Sequence, residues 1–386
     1  MIKSIGSHQA LRLYPVIISA GVVGLSIGLT IPLTSLVLEN RGFSILVVGL
    51  NTTLYSLAIL TTGPFIPGWI NRLGMIQSMR IGALVSGLLV TALAFSTNIW
   101  TWFLFRSIMG IAGALHWVAS EAWINAAAAA ENRGRIVGAY ATLWGLGIAA
   151  GPLVLKLTGV TGLVPFFTSG AIMACAALPL LMVSGKGGRI GDRTAPLVFH
   201  TITTAPFAMA AGLICGLLET AALALLPLYG LHSGLDTART LTLVSLFAVG
   251  SFLFQPLVGW AADRIALKNL LRGIAVVAVL AVVMIPVTLH LPLVIGSCLF
   301  LWGGSIGGFY TLGMMHLGQR FSGTHLTAAS SMFVMAYTTG MVGGPFLGGV
   351  AMQLYDPNGL LIMMMVIPIF FLAGMQWSPK ARHSSV

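Results

Sequence analysis

Apolar stretches of roughly membrane-spanning length, separated by short clusters of Gly, Pro, Asn and charged residues, occupy almost the whole chain. Twelve can be counted, at about 15–37, 45–70, 81–97, 99–124, 136–156, 160–184, 205–231, 240–262, 273–290, 292–318, 326–353 and 360–378. A helix crossing a bilayer needs about 20 mostly apolar residues, and in lipid the backbone satisfies its own polar groups only as a helix or a closed barrel. The pattern therefore predicts an all-α membrane protein with twelve transmembrane helices. The pairs 81–124 and 273–318 are nearly continuous, so Asn98 and the step from His290 to Pro292 must be tight turns. The first run follows Lys3 and Arg12 but is longer than the core of a secretory signal, about 7–15 residues, and is expected to be a span.

The longest polar break, GKGGRIGDRTAPLVFHTITT at 185–204, falls at mid-chain. It divides the chain into an expected six-helix bundle at 1–184, a cytoplasmic linker at 185–204 and a second six-helix bundle at 205–386. The halves echo each other: PFIPGWINR from Pro64 and PLVGWAADR from Pro256 lie 192 residues apart, and a GxxxGP recurs at Pro152 and Pro345, 193 apart. Two echoes at nearly one offset predict an internal repeat, with a central cavity between pseudo-symmetric bundles.

Composition agrees with a bilayer, since 57% of residues are hydrophobic and only 7% charged, against about 25% in soluble domains. The net charge of +11 points to topology rather than nucleic acid, because the basic residues are scattered singly. With both termini inside, fifteen of the nineteen Lys and Arg, including Arg72, Arg133, Arg135 and Arg264, fall in cytoplasmic connections and three outside. The positive-inside rule thus predicts that both termini are cytoplasmic. The remaining basic residue is Arg106, inside an apolar run. Cys175, Cys215 and Cys298 lie within apolar runs without CxxC spacing, so no metal or cofactor is expected and they read as packing residues.

At this point the chain resembles the major facilitator superfamily over nearly its whole length. Arg106, Gly110 and Gly113 match the family's RxxxGxxG, whose Arg is linked to proton coupling. Gly147, Gly151 and Pro152, with Gly340, Gly344 and Pro345, look like the antiporter-type GxxxGP. Gly259, Asp263 and Arg264 match the GxxxDR loop signature, whereas the first half has Asn71 in place of the acid, beside Arg72 and Gly74. SEAWINAAAAAENRGR and YTLGMMHLGQRF are similar to the YcaD-like branch of bacterial transporters. The resemblance implies transport by alternating access, with helices one, four, seven and ten lining the cavity and the motifs above serving gating.

Intramembrane ionisable residues carry the candidate chemistry, because a charge at bilayer depth costs about 2.5 kcal/mol or more and is rarely idle. Arg106, Gly110, Gly113, Trp117 and Glu121 share one helical stripe, but Arg106 and Glu121 are about 22 Å apart along it and need separate partners. Glu219 lies near the middle of the seventh run with no basic residue within ten positions. It is the first candidate for proton coupling, together with Arg106 and Glu121, and a pairing of Glu219 with Arg106 across the halves is a sharper form of that expectation. His116, Trp117, Tyr310, His316, Tyr229 and Thr30 are candidates to line a substrate cavity. Packing and interfacial anchoring compete with that role for the histidines and aromatics. No Walker loop or HExxH is present and the intramembrane histidines are isolated, so neither ATP nor an intramembrane enzyme is expected. The expected partners are lipid, protons and a small organic solute, handled by a monomer, with efflux by antiport favoured. A passive facilitator or sensor is the alternative.

Overall fold

The computed structural model describes residues 7–128, 132–183 and 204–377. All twelve apolar runs coincide with helix among these residues. The first half contains α1 (Ser7–Asn40), α2 (Ile45–Thr62), α3 (Ile66–Leu73), α4 (Met75–Leu93), α5 (Ile99–Ala127), α6 (Arg133–Thr158), α7 (Val164–Cys175) and α8 (Ala177–Leu180). The second contains α9 (Pro206–His232), α10 (Thr237–Ala262), α11 (Leu267–Val287), α12 (Pro292–Arg320), α13 (Gly323–Leu354) and α14 (Gly359–Trp377). Apart from Thr204, whose carbonyl accepts a hydrogen bond from Arg320, the expected linker lies outside the described residues.

Local chemistry sets the helix boundaries. Ser44, Asn98 and Asp236 each accept a backbone N–H from the first turn of α2, α5 and α10, satisfying one of the donors a helix start leaves over. The run expected at 45–70 is split, because Pro64 and Pro67 follow Gly63 and the chain restarts as the short α3. Gly74 then turns the chain into α4 with φ of 89°, a left-handed value that disfavours any side chain. The sixth run is likewise split into α7 and α8 at Ala176.

The two halves reuse one set of contacts. A Cβ at Gly24 would strike the carbonyl of Trp144, and one at Gly216 that of Tyr337. Gly110 meets the carbonyl of Tyr55 in the same way, and Gly303 that of Phe247. Each pair is offset from its counterpart by 192 or 193 residues, the spacing of the sequence echoes. Gly147 and Gly151 press α6 onto α1, and Gly340 and Gly344 press α13 onto α9. The GxxxGP motifs thus lie inside each half, where small residues let helices approach closely.

Between the halves, α2 packs on α13 and α6 on α10. Gly49 abuts the Pro345 carbonyl, Thr53 Oγ1 donates to the Val342 carbonyl at 3.1 Å, and Gly145 meets the Phe252 ring. Lys156 Nζ reaches Thr242 Oγ1 at 3.2 Å. At the outermost level His232 joins three connections. Its Nε2 lies 2.7 Å from Glu39 in the first half, and its Nδ1 lies 2.7 Å from Asp356 in the second. These contacts seal one end. Toward the other end the helices part, and nothing lies within 4 Å of a Cβ built at Gly134 or Gly138 of α6, or at Gly259 of α10.

Candidate functional site

The hollow left by that divergence sits between the halves and has a volume of about 1290 Å³ including its open mouth. Helices α1, α2, α5 and α6 line it from one side, and α9, α10, α12 and α13 from the other. Its charged lining residues are Glu121 and Glu219, and no Lys or Arg among the described residues lines it.

Glu219 lies at the middle of α9, where the helix is otherwise largely buried, and its partly exposed side chain faces the cavity. Tyr337 on α13 donates its hydroxyl to Glu219 Oε2 at 2.9 Å, and Cys215, one turn before Glu219, places its Sγ 3.9 Å from the same oxygen. The acid is therefore held by donors from its own half, with one flank open. Cys215 is thus a neighbour of the carboxylate as well as a packing residue. Glu121 lies on the last turns of α5 nearer the mouth and accepts from Trp117 Nε1 at 2.8 Å, one turn earlier on the same helix.

The predicted α5 stripe is divided by depth. Gly113, Trp117 and Glu121 line the cavity, but Arg106 does not. It is only 2% exposed, with its guanidinium carbon 4.8 Å from the centre of the Tyr55 ring. Its Nε donates weakly to the Asn51 carbonyl at 3.5 Å. At that level α2 covers α5, because Gly110 and Gly113 bring Tyr55 against the helix. Tyr55 stands as a wall, facing the main cavity and also a small hollow of about 280 Å³ that Arg106 and Thr30 line. The expected pairing of Arg106 with Glu219 is not formed.

The other candidates divide in the same manner. Trp117 and Tyr310 line the cavity, as do the aromatics Tyr140, Trp144 and Tyr337. His116 is packed inside the first half, with Nε2 3.0 Å from the Ser19 hydroxyl, and Tyr229 is 2% exposed in the core of the second. His316 is half-buried and lies outside the lining, while Thr30 bonds Ser26 and Ser169 within the first half. Arg72, Asp263 and Arg264 are exposed at the open end, Arg264 stacking on Trp260 at 4.1 Å, and Asn71 is half-buried beside Gly74. Sequence reasoning missed Tyr55, Phe252 and Gln255 in the lining and the cluster around His232. The cluster had a signal: three titratable residues in connections otherwise poor in charge.

A model described as Major Facilitator Superfamily matches residues 16–345 and again 209–385. An uncharacterized MFS-type transporter of Bacillus subtilis, YfkF, is 26% identical over 381 residues, covering 96% of this chain and 97% of its own. The YcaD transporter of Escherichia fergusonii is 24% identical over 328 residues, 84% of each chain. Among solved structures, the nucleoside transporter NupG superposes with a TM-score of 0.77 at 17% identity, covering 96% of this chain and 100% of that one. A bacterial homolog of the human lysosomal transporter Spinster, in an inward-facing and unoccupied conformation, gives 0.76 at 13%, covering 98% and 100%.

Proposed function

Because the chain belongs to the major facilitator superfamily, we propose that it is a proton-coupled secondary transporter, moving a small organic solute across the inner membrane by alternating access and exporting it in exchange for protons. The observation that carries this reading is Glu219, a carboxylate facing a cavity that is sealed at one end and open at the other. A group that titrates must meet water from one side at a time if its proton is to be coupled to a conformational change. Glu219 is placed for that role: it is reachable through the mouth and held by Tyr337 and Cys215 on the other flank. Glu121, nearer the mouth, is a second proton acceptor on the same path.

The open end carries Arg72, Arg264 and Arg320, and we assign it to the cytoplasm by the positive-inside rule, which makes this state inward-open with cytoplasmic termini. The halves, 1–184 and 205–386, would rock against each other about the α2–α13 and α6–α10 contacts, and one chain supplies the whole cavity. Arg106 supports α2 beneath Tyr55 in this scheme, and its part in coupling would pass through that ring.

Purified protein in proteoliposomes tests the reading. A solute screen with an internal pH indicator should find a compound whose movement drives counterflow of protons, and Glu219→Gln should abolish that flux while the protein stays folded. Normal gradient-driven flux in Glu219→Gln would refute the coupling role. Flux indifferent to the pH gradient in the unaltered protein would identify a passive facilitator instead.

A further inference from the structure

The cavity's charge has the opposite sign to the chain's. The protein is +11 overall, yet among the described residues no Lys or Arg lines the cavity, Arg106 standing behind Tyr55, and the formal charges found on its wall are two carboxylates. Seven aromatic rings line the cavity with them, and four of these pair off between the two halves. Trp117 and Tyr310 are 193 residues apart, as are Trp144 and Tyr337. Repeated contacts at that offset show them to be equivalent places of the repeat. Two of these rings bear directly on a carboxylate, Tyr337 on Glu219 and Trp117 on Glu121, and Tyr310 packs edge-on to Tyr337 with centroids 5.6 Å apart.

We propose that this cavity binds an organic cation with an apolar body, such as a protonated amine or a quaternary ammonium, its charge meeting Glu219 and then Glu121 while its body lies among the four aromatic side chains. This rests on the transport reading above and names the substrate class of the same site. The opposite class is disfavoured by the same wall: an anion would enter beside the Glu219 carboxylate, and among the described residues no Lys or Arg lines the cavity. Aromatic faces attract cations through the negative face of the ring, and carboxylates give such a ligand its counter-charge. A metal ion does not fit, since no group of three or more His, Cys, Asp or Glu that could hold one is found among the described residues. Exchange follows from the geometry. A proton and an organic cation neutralise the same carboxylate, so each displaces the other, and efflux of one is tied to entry of the other.

Tetraphenylphosphonium and tetraphenylborate, nearly identical in shape and opposite in charge, separate the classes. With the protein in nanodiscs and empty discs subtracted, the phosphonium should bind at least about tenfold more tightly than the borate. Its binding should weaken about tenfold in Glu219→Gln, less in Glu121→Gln, and fall as pH is lowered and the carboxylates are protonated. The pH series on the unaltered protein needs no variant, so the test survives a variant that does not fold. Equal or tighter binding of the borate, or phosphonium binding unchanged across pH, would overturn the proposal. Selective phosphonium binding without flux in a pH gradient would uphold cation recognition and remove the transport reading. Proton movement driven only by neutral or anionic solutes would do the reverse.

Discussion

The two halves are built alike and charged differently. At equivalent places of the repeat, Trp117 answers Tyr310 and Trp144 answers Tyr337, so the aromatic frame is nearly symmetric. Glu219, however, answers Ile27, which also faces the cavity, and Arg106 answers Leu299, which is fully buried. Tyr55, over Arg106, answers Phe247, which packs on Trp302 at 4.8 Å. A repeat can thus keep its helix contacts while each copy takes charges of its own, Glu219 and Glu121 facing the cavity and Arg106 walled off. The lesson is that access, rather than the mere presence of a buried charge, separates a site from a support.

The sharpest way to break this comparison is to make the halves alike. Glu219→Ile should abolish gradient-driven flux and lower phosphonium binding at least about tenfold, measured by proteoliposome flux and nanodisc binding. Adding Ile27→Glu to that variant should recover part of the binding, because the carboxylate returns to an equivalent wall of the same cavity. Arg106→Leu, the analogous change for the walled-off charge, should act on stability instead. Losing a buried charge-assisted contact is worth about 1–3 kcal/mol, so the melting temperature should fall by several degrees while phosphonium binding changes less than about twofold. A tenfold loss of binding in a folded Arg106→Leu would show that Tyr55 does not insulate the cavity.

The smallest effect is expected at the sealed end. Both ring nitrogens of His232 approach carboxylate oxygens at 2.7 Å, and only the imidazolium can donate to both. The bridge is therefore complete when His232 is protonated and loosens as pH rises and that proton is lost. Glu39 and His232 are partly exposed and Asp356 more so, which limits the contribution to about 1 kcal/mol. His232→Gln should raise the labelling rate of a cysteine placed at Ser233 a few-fold at acidic pH and leave it unchanged at alkaline pH.

Much of the fold was legible in the sequence, because spanning length is a property of a single segment and the repeat offset a relation between two segments of the chain itself. The residues Glu219, Glu121, Trp117 and Tyr310 could also be picked out, since an acid or an aromatic stripe in an apolar run stands apart. What could not be read was the partner of each. Helical periodicity puts Arg106 and Trp117 on one face, but the chain does not announce that α2 crosses at the level of Arg106 and places Tyr55 between it and the cavity. His116 failed as a cavity residue for a related reason, since Ser19 on α1 already occupied its face.

The crossing of α6 and α10 at Gly145 and Phe252 lies close to the midpoint of both helices, which run from 133 to 158 and from 237 to 262. A pivot in that place behaves like the rivet of a pair of scissors: a tilt of a few degrees spreads one mouth as it shuts the other. In the proposed rocking cycle no separate gate would then be required to prevent a continuous leak of water and ions, because the lever arms on either side of the rivet are of comparable length.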